Sequence, residues 1–235
     1  MEDHAALMQK ILKDISQGDD GVRNQFLGEF HQASNDFAQH MATAVLRWLS
    51  MIETNVPDPL GDSKLAPLKP MFVKDIRKGY VSMFVFLAIT LHIQSMKLFL
   101  SGHVVAAGNL MRQVLESMAM ALLCSSSPLG VLEKFIRGRF FTQRSIPQVI
   151  KNANRLGLNE GIKGIQKIQN LYHKYSHLSQ STLLNYLSFE TKGLNTGCSF
   201  DGGKVRWYKA EVTVRLGLAK VFSNFIELVS RNMST

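Results

Sequence analysis

The chain has few of the residues from which cofactor and metal sites are usually recognised. It contains two cysteines among 235 residues, Cys124 in an apolar segment and Cys198 in a glycine-rich one. Two isolated thiols indicate neither a disulfide framework nor a thiolate zinc site, which is typical of a reducing compartment. Walker, dinucleotide-binding and His-Glu-x-x-His patterns are also absent from the sequence. We therefore predict no cofactor and no metal.

Long hydrophobic runs are absent as well. The most apolar run, 80–93, is about 14 residues long and gives way to Gln94 and Lys97, whereas a membrane span needs about 20 residues. This run predicts a buried helix and no membrane partner. The first residues, Met1-Glu2-Asp3-His4, are acidic and lack the apolar region of a signal peptide. We expect a cytoplasmic protein.

The net charge of +9 is unevenly distributed. Residues 134–174 carry nine basic side chains and one acidic side chain, whereas residues 1–40 carry three basic and seven acidic ones. A local basic field attracts polyanions, which favours RNA or a nucleotide as partner. The alternative is a solvated basic face that meets an acidic protein partner, or the acidic N-terminal helices of a second copy in a homodimer.

Helical periodicity dominates the chain. It predicts helices over about 3–17, 22–55, 71–100, 103–125, 129–141, 146–156, 159–178 and 209–232. The second of these has one sustained apolar stripe, formed by Phe26, Phe30, Ala33, Phe37, Met41, Ala44, Trp48 and Ile52. Residues 56–70 hold four prolines and predict a loop. Pro70 suits the start of the next helix.

The last 50 residues combine a strand-like pattern with a final helix. Leu187, Phe189 and Thr191 alternate with polar residues, and Asp201-Gly202-Gly203 is typical of a hairpin turn. The helix that follows has Val214, Leu218, Val221, Phe225 and Leu228 on one face. We predict one all-α domain over 1–235, a bundle of about six to eight helices with a small β-hairpin before the last helix. Residues 1–55 form a dimerisation or packing arm, and residues 71–235 form the core bundle.

The segment 104–124 contains two charged residues, Arg112 and Glu116, in an otherwise apolar helix. They lie four positions apart and therefore share one face. A charge deep in a core is tolerated only when it is paired and hydrogen-bonded. Three interpretations stay open: a structural ion pair, a contact to a ligand or substrate, and a plain surface patch.

A second constellation is Tyr172-His173-Lys174-Tyr175-Ser176-His177. On a helical wheel its tyrosines share the apolar face, and its histidines share the polar face with Asn170 and Lys174. His173 and His177 could reach one metal ion, but zinc needs a third ligand. A His/Lys/Asn face suits phosphate, and a solvated face is the other interpretation.

The order of these features resembles uncharacterised bacterial all-helical proteins that look distantly like the HEPN superfamily (higher eukaryotes and prokaryotes nucleotide-binding). The resemblance covers about 75–232 and rests on Leu110-Met111-Arg112-Gln113-Val114-Leu115-Glu116 and on the Tyr172–His177 segment. It implies a dimeric all-helical protein, in which Ser176 and His177 meet Arg112 and Glu116 across the bundle. HEPN proteins include RNases of toxin–antitoxin and phage-defence systems. Their Arg-x4-6-His motif is absent here, and Lys167 with His173 is its nearest mimic.

The leading hypothesis is a protein that binds RNA, a nucleotide or another polyanion. Its site would comprise His173 and His177 as catalytic residues, with Arg112, Glu116, Asn170, Tyr172, Lys174 and Ser176 binding the ligand. If it is an enzyme, we expect a metal-independent RNase. The main alternative is a non-enzymatic homo-oligomeric interaction module with a purely structural Arg/Glu ion pair. A small-ligand pocket inside the bundle is a third possibility.

Overall fold

A computed structural model describes residues 19–53, 75–158, 162–175, 179–194 and 198–234. These residues contain eight α-helices: α1 (Asp20–Glu53), α2 (Ile76–Leu100), α3 (Val104–Ser125), α4 (Val131–Ile136), α5 (Ser145–Lys151), α6 (Ile162–His173), α7 (Gln180–Asn185) and α8 (Val205–Ser234). The prediction of an all-α architecture is confirmed for this part of the chain. The helix predicted over 3–17, the loop predicted over 56–70 and the helix start predicted at Pro70 lie outside the described residues.

The long helix α1 follows its predicted stripe. Phe26, Phe30, Phe37 and the small or flexible residues that continue the stripe are buried or half-buried along its length. The backbone leaves helical geometry at Phe30, with φ −122° and ψ 23°. The Ser34 hydroxyl donates to the Phe30 carbonyl (2.9 Å), a back-bond of the type that bends helices. The apolar stripe therefore stays on the core across the kink.

Helices α2 and α3 form a tight antiparallel hairpin around the turn Ser101-Gly102-His103. Gly102 has φ +81°, a conformation that favours glycine. A Cβ there would stand 2.9 Å from Val22 Cγ1 and 3.0 Å from the Ser199 nitrogen. The turn therefore brings the start of α1 and the segment before α8 against the α2–α3 corner.

The helix predicted over about 71–100 is present as α2, and its apolar run 80–93 is more exposed than a buried helix would be. Among the described residues, α2 is long and apolar enough to cross a membrane by length and composition, and 39% of its most apolar 18-residue stretch is buried. Its inner side carries the buried polar residues Ser82, His92 and Ser95. Its outer side leaves large apolar side chains in solvent. The interpretation as a buried helix therefore holds for the inner side of 80–93, whereas four of its apolar side chains, Met83, Phe86, Leu87 and Ile93, are exposed.

The basic helix predicted over 129–141 is present but much shorter. A 3₁₀ turn, Ser127–Leu129, precedes α4, and α4 ends at Ile136. Gly138 follows with φ +66°, and the Arg139 nitrogen donates back to the Lys134 carbonyl (2.7 Å). A glycine in the left-handed region closes a helix C-terminus in this way. The chain then runs irregularly to the 3₁₀ turn Thr142–Arg144 and into α5.

The predicted β-hairpin is not seen. The described part of 187–208 holds one isolated bridge, between Leu187 and Leu194. Asp201 explains the difference, because its carboxylate accepts from the Gly203 nitrogen (2.9 Å) and from the Phe189 nitrogen (2.6 Å). The Asp-Gly-Gly sequence is thus a 3₁₀ turn that leads directly into α8. The Asp-Gly-Gly residues that would form a hairpin turn therefore begin a helix here.

The buried face of α8 also differs from the predicted stripe. Leu218 and Phe225 of that stripe are buried, whereas Val221 is 48% exposed and its neighbour Phe222 is fully buried. The core face runs through Glu211, Arg215, Phe222, Ile226 and Val229. Because charged side chains are normally placed on the surface, the sequence pattern favoured a face rotated away from this one.

Candidate functional site

Helices α3, α5 and α6 enclose a pocket of about 310 Å³, called here the polar pocket. Arg112 and Glu116 line it from α3, and His173 lines it from α6. The sequence did not indicate four further lining residues, namely Leu115, Gln143, Ile146 and Gln169. Two distant sequence constellations thus share one concavity.

Arg112 and Glu116 form an ion pair on the wall of this pocket. The Arg112 Nε donates to the Glu116 Oε1 at 2.9 Å. Their side chains keep 23% and 18% of their surface exposed, so the pair is not deep in the core as the apolar surroundings suggested. A partly exposed guanidinium beside a pocket can contact an anionic ligand, although the Glu116 carboxylate lowers the local positive charge.

Tyr172 contributes its ring to the pocket but not its hydroxyl. The side chain is fully buried, and the hydroxyl donates into the core to the Glu211 Oε2 at 3.2 Å. Burial, together with the neighbouring Glu211, raises the pKa of Tyr172 well above its ordinary value, against the opposing effect of Arg215. Its hydroxyl is therefore engaged in the core, and its role as a ligand-binding residue stays a prediction.

The other predicted site residues divide into two groups. His173, Lys174 and Asn170 are exposed, and of these His173 lines the polar pocket. The Lys174 carbonyl anchors the start of α7, because it accepts from the Thr182 hydroxyl (3.0 Å). Ser176 and His177 lie outside the described residues, so their predicted meeting with Arg112 and Glu116 stays a prediction.

The sequence did not predict the fully buried ion pair between Glu211 and Arg215 on α8. Arg215 has no exposed surface and Glu211 has 2%. The Arg215 Nη1 donates to the Glu211 Oε2 at 2.5 Å, and the Tyr175 hydroxyl donates to the Glu211 Oε1 at 2.7 Å. The guanidinium also stacks over the Phe99 ring, 4.8 Å from its centroid. The i, i+4 spacing of Glu211 and Arg215, on the same face as Phe222, was the one available signal.

This buried cluster extends to α2 through Ser95 and His92. The Arg215 Nε donates to the Ser95 hydroxyl (3.3 Å), which donates to the Ala107 carbonyl (2.9 Å). The His92 imidazole stacks on the Phe222 ring and its Nε2 lies 3.0 Å from the Arg215 carbonyl. Burial lowers the pKa of His92 to about 3, and the Arg215 charge adds to this effect. His92 is therefore neutral in the folded protein and donates from Nε2.

A second concavity lies in the basic segment and is called here the basic hollow. It measures about 250 Å³ and is lined by Lys134, Arg139, Arg144 and Lys151 around Phe140 and Phe141. Phe141 is 64% exposed. Within the described residues none of these four cations forms an ion pair. The polar pocket is its neighbour along the chain, because Gln143 lines one and Arg144 lines the other.

Comparison with known proteins yields no relative for this arrangement. No protein-family model, curated protein or solved structure matches the chain. The evidence on function therefore lies in the basic hollow and the polar pocket. The basic hollow offers four cations that form no ion pair with the described residues, together with an exposed aromatic ring. The polar pocket offers an ion pair, two amides and an imidazole.

Proposed function

We propose that the protein binds single-stranded RNA or a related nucleotide polyanion through the basic hollow. The observation that carries the proposal is the set of four cations around Phe140 and Phe141 that have no acidic partner among the described residues. Unpaired cations attract phosphates, and an exposed aromatic ring stacks on an unpaired base. A single-stranded ligand satisfies both groups at once.

Charge distribution supports the same ligand class. The segment 134–174 has an excess of eight positive charges, nearly the whole net charge of the protein. A solvated surface normally mixes both signs, since like charges repel. Here five of the nine cations, Lys134, Arg137, Arg139, Arg144 and Lys151, lie between the start of α4 and the end of α5, and four of these five line the basic hollow.

The test is a binding titration of a fluorescent single-stranded RNA at several salt concentrations. Replacing Arg139 and Arg144 by Ala removes two phosphate contacts, so the log–log salt slope falls by about 1.4 and affinity falls at least about 10-fold at low salt. The matched control removes two exposed charges outside the hollow, Arg206 and Lys220, and leaves the slope and the affinity near wild type. Absence of binding at low ionic strength, or an equal loss in both variants, contradicts the proposal.

The polar pocket adds a catalytic part to this proposal. Arg112 offers a contact for a phosphate, and His173 offers proton transfer beside it. In the metal-independent RNase that the family resemblance implies, His173→Ala abolishes cleavage in the presence of a chelator, while binding in the basic hollow persists. Cleavage that survives this substitution assigns the nuclease activity to another protein in the preparation.

The outer face of α2 favours a second candidate function, self-association. Met83, Phe86, Leu87 and Ile93 are between 39% and 49% exposed, and 79–96 contains no Asp, Glu, Lys or Arg. An uncharged apolar face of this kind is typical of a protein interface, and two copies meet on it without charge repulsion. Phe86→Glu then converts a dimer to a monomer in light scattering. Val221→Glu, at an equally exposed apolar position on α8, leaves the dimer intact.

A further inference from the structure

Three potential metal ligands of different chemistry meet at the α2–α3 corner. Asp19 directly precedes α1, His103 directly precedes α3, and Cys198 lies in the segment that leads to α8. The Cys198 Sγ donates to the Asp19 Oδ1 (2.5 Å), and the His103 Nε2 lies 2.8 Å from the Asp19 Oδ2. The three ligand atoms all lie within 4.8 Å of one another. His103 and Cys198 are 84 and 179 positions from Asp19, which is why the sequence did not indicate the cluster.

The three ligands lie close together because the chain segments that carry them pack tightly around Gly102. A Cβ on Gly102 would stand 3.2 Å from the Cys198 Cβ, in addition to its close contacts with Val22 and the Ser199 nitrogen. This glycine therefore permits the three chain segments to approach each other. The side chains of His103 and Asp19 remain 42% and 24% exposed, so an ion has access from solvent.

From this geometry we propose that Asp19, His103 and Cys198 bind a zinc ion, with water or another small ligand in the fourth position. Zinc suits one thiolate, one imidazole and one carboxylate together, whereas Mg²⁺ and Ca²⁺ prefer oxygen alone. Zn–S and Zn–O bonds of about 2.3 and 2.0 Å with tetrahedral angles separate the two ligand atoms by about 3.5 Å. The Cys198–Asp19 pair has to open by about 1 Å, which requires rotation of these two half-buried side chains.

Local charge is compatible with this role. Although partial burial by itself raises the pKa of Asp19, hydrogen bonds from Cys198 and His103 and the charges of His103 and Arg23 bring it below its ordinary value. The nearest cation, Arg23, is engaged with the Asp20 carboxylate (3.0 Å) and the Ser101 hydroxyl (3.0 Å). On binding, zinc would displace the Cys198 and His103 protons that now form hydrogen bonds to the Asp19 carboxylate.

A zinc ion here would fasten three segments that are far apart in the chain. It would tie the start of α1 to the α2–α3 turn and to the segment before α8, and it would stabilise the folded state by mass action. With three protein ligands the site keeps one open position, which is the arrangement of reactive rather than closed structural zinc sites.

The experiment uses tag-free full-length protein and two probes, zinc for stoichiometry and Co²⁺ for spectroscopy. We expect one zinc per chain after gel filtration, a thiolate-to-cobalt charge-transfer band with Co²⁺, and a zinc-dependent rise in Tm. Cys198→Ser abolishes the charge-transfer band, and His103→Asn weakens zinc binding at least about 10-fold. The matched controls, Cys124→Ala at the buried thiol and His31→Asn at an exposed imidazole, retain the zinc and the band.

A wild-type measurement guards against variants that fail to fold. Zinc should protect Cys198 from alkylation in the native wild-type protein, because a coordinated thiolate is a poor nucleophile for the reagent. The proposal is overturned if wild-type protein retains no zinc and shows no protection. It is equally overturned if folded Cys198→Ser and His103→Asn bind zinc as wild type does. None of these results depends on RNA binding.

Discussion

The Tyr175 ring lies directly against Gly108, with its Cγ 2.5 Å from the place where a Cβ on that residue would stand. This contact lets α6 and the residues after it approach α3 closely enough for the Tyr175 hydroxyl to reach Glu211 in the core. The absence of one side chain therefore couples the wall of the polar pocket to the buried ion pair on α8.

Replacing Gly108 by Ala should destabilise the protein by about 1–3 kcal/mol, because the new methyl group overlaps the Tyr175 ring and forces it from Glu211. Chemical denaturation measures the loss. The control is Gly217→Ala in α8, where a Cβ meets nothing within 4 Å. That change should stabilise by about 0.5–1 kcal/mol through helix propensity. Equal effects at both glycines would contradict the close contact.

Neutralising one partner of the buried ion pair should be costly. Glu211→Leu or Arg215→Leu alone leaves an uncompensated buried charge and should lower the free energy of unfolding by about 3–5 kcal/mol. The double variant should lose much less than the sum, since neither charge remains. A double-mutant cycle in urea measures this coupling. Additive losses would show that the two side chains do not interact in solution.

His92 should make stability depend on pH below neutrality. Its pKa is about 3 in the folded protein and about 6.5 in the unfolded chain, so the unfolded chain binds the extra proton between these values. The contribution is complete above pH 6.5 and is lost as pH falls, by up to about 1.4 kcal/mol per pH unit. His92→Gln retains a donor for the Arg215 carbonyl but cannot titrate. Its unfolding free energy should therefore fall less steeply between pH 6.5 and pH 4, and an unchanged slope would exclude His92 as the cause.

The two cysteines should differ strongly in reactivity. Cys124 is 1% exposed, and burial, with a further contribution from the Glu133 charge, raises the pKa of its thiol to about 12. Cys198 is half-buried, so iodoacetamide should modify it first in metal-free native protein. Peptide mass spectrometry identifies the modified residue, and modification of Cys124 should require unfolding. Equal alkylation rates at both thiols in the native state would contradict the burial of Cys124.

The long helices were predictable because their apolar residues repeat with the helical period over many turns. The stripe from Phe26 to Ile52 is uninterrupted, and α1 follows it through its kink. The shorter elements were not predictable to the same degree, because single hydrogen bonds decide them. The bond from the Gly203 nitrogen to the Asp201 carboxylate caps a 3₁₀ turn that leads into α8, where the sequence signalled a hairpin.

The candidate site was predictable in part. A polar Arg/Glu window on one apolar helix and a histidine on another pointed to α3 and α6, and Arg112, Glu116 and His173 line one pocket. The basic hollow was visible as an excess of charge but not as a concavity. Its shape depends on the helix ending at Gly138 and on the irregular return to α5.

By itself the sequence determined the helical class, the position of the long helices and the concentration of positive charge in 134–174, because periodicity and composition are local properties of the chain. The tertiary structure decided which charges are buried and which distant side chains meet. Glu211 and Arg215 resemble a surface pair in sequence and become core residues, where Tyr172, Tyr175 and Ser95 from other parts of the chain hydrogen-bond to them. Asp19, His103 and Cys198 are likewise unrelated in sequence, and only the close packing at Gly102 brings their ligand atoms together.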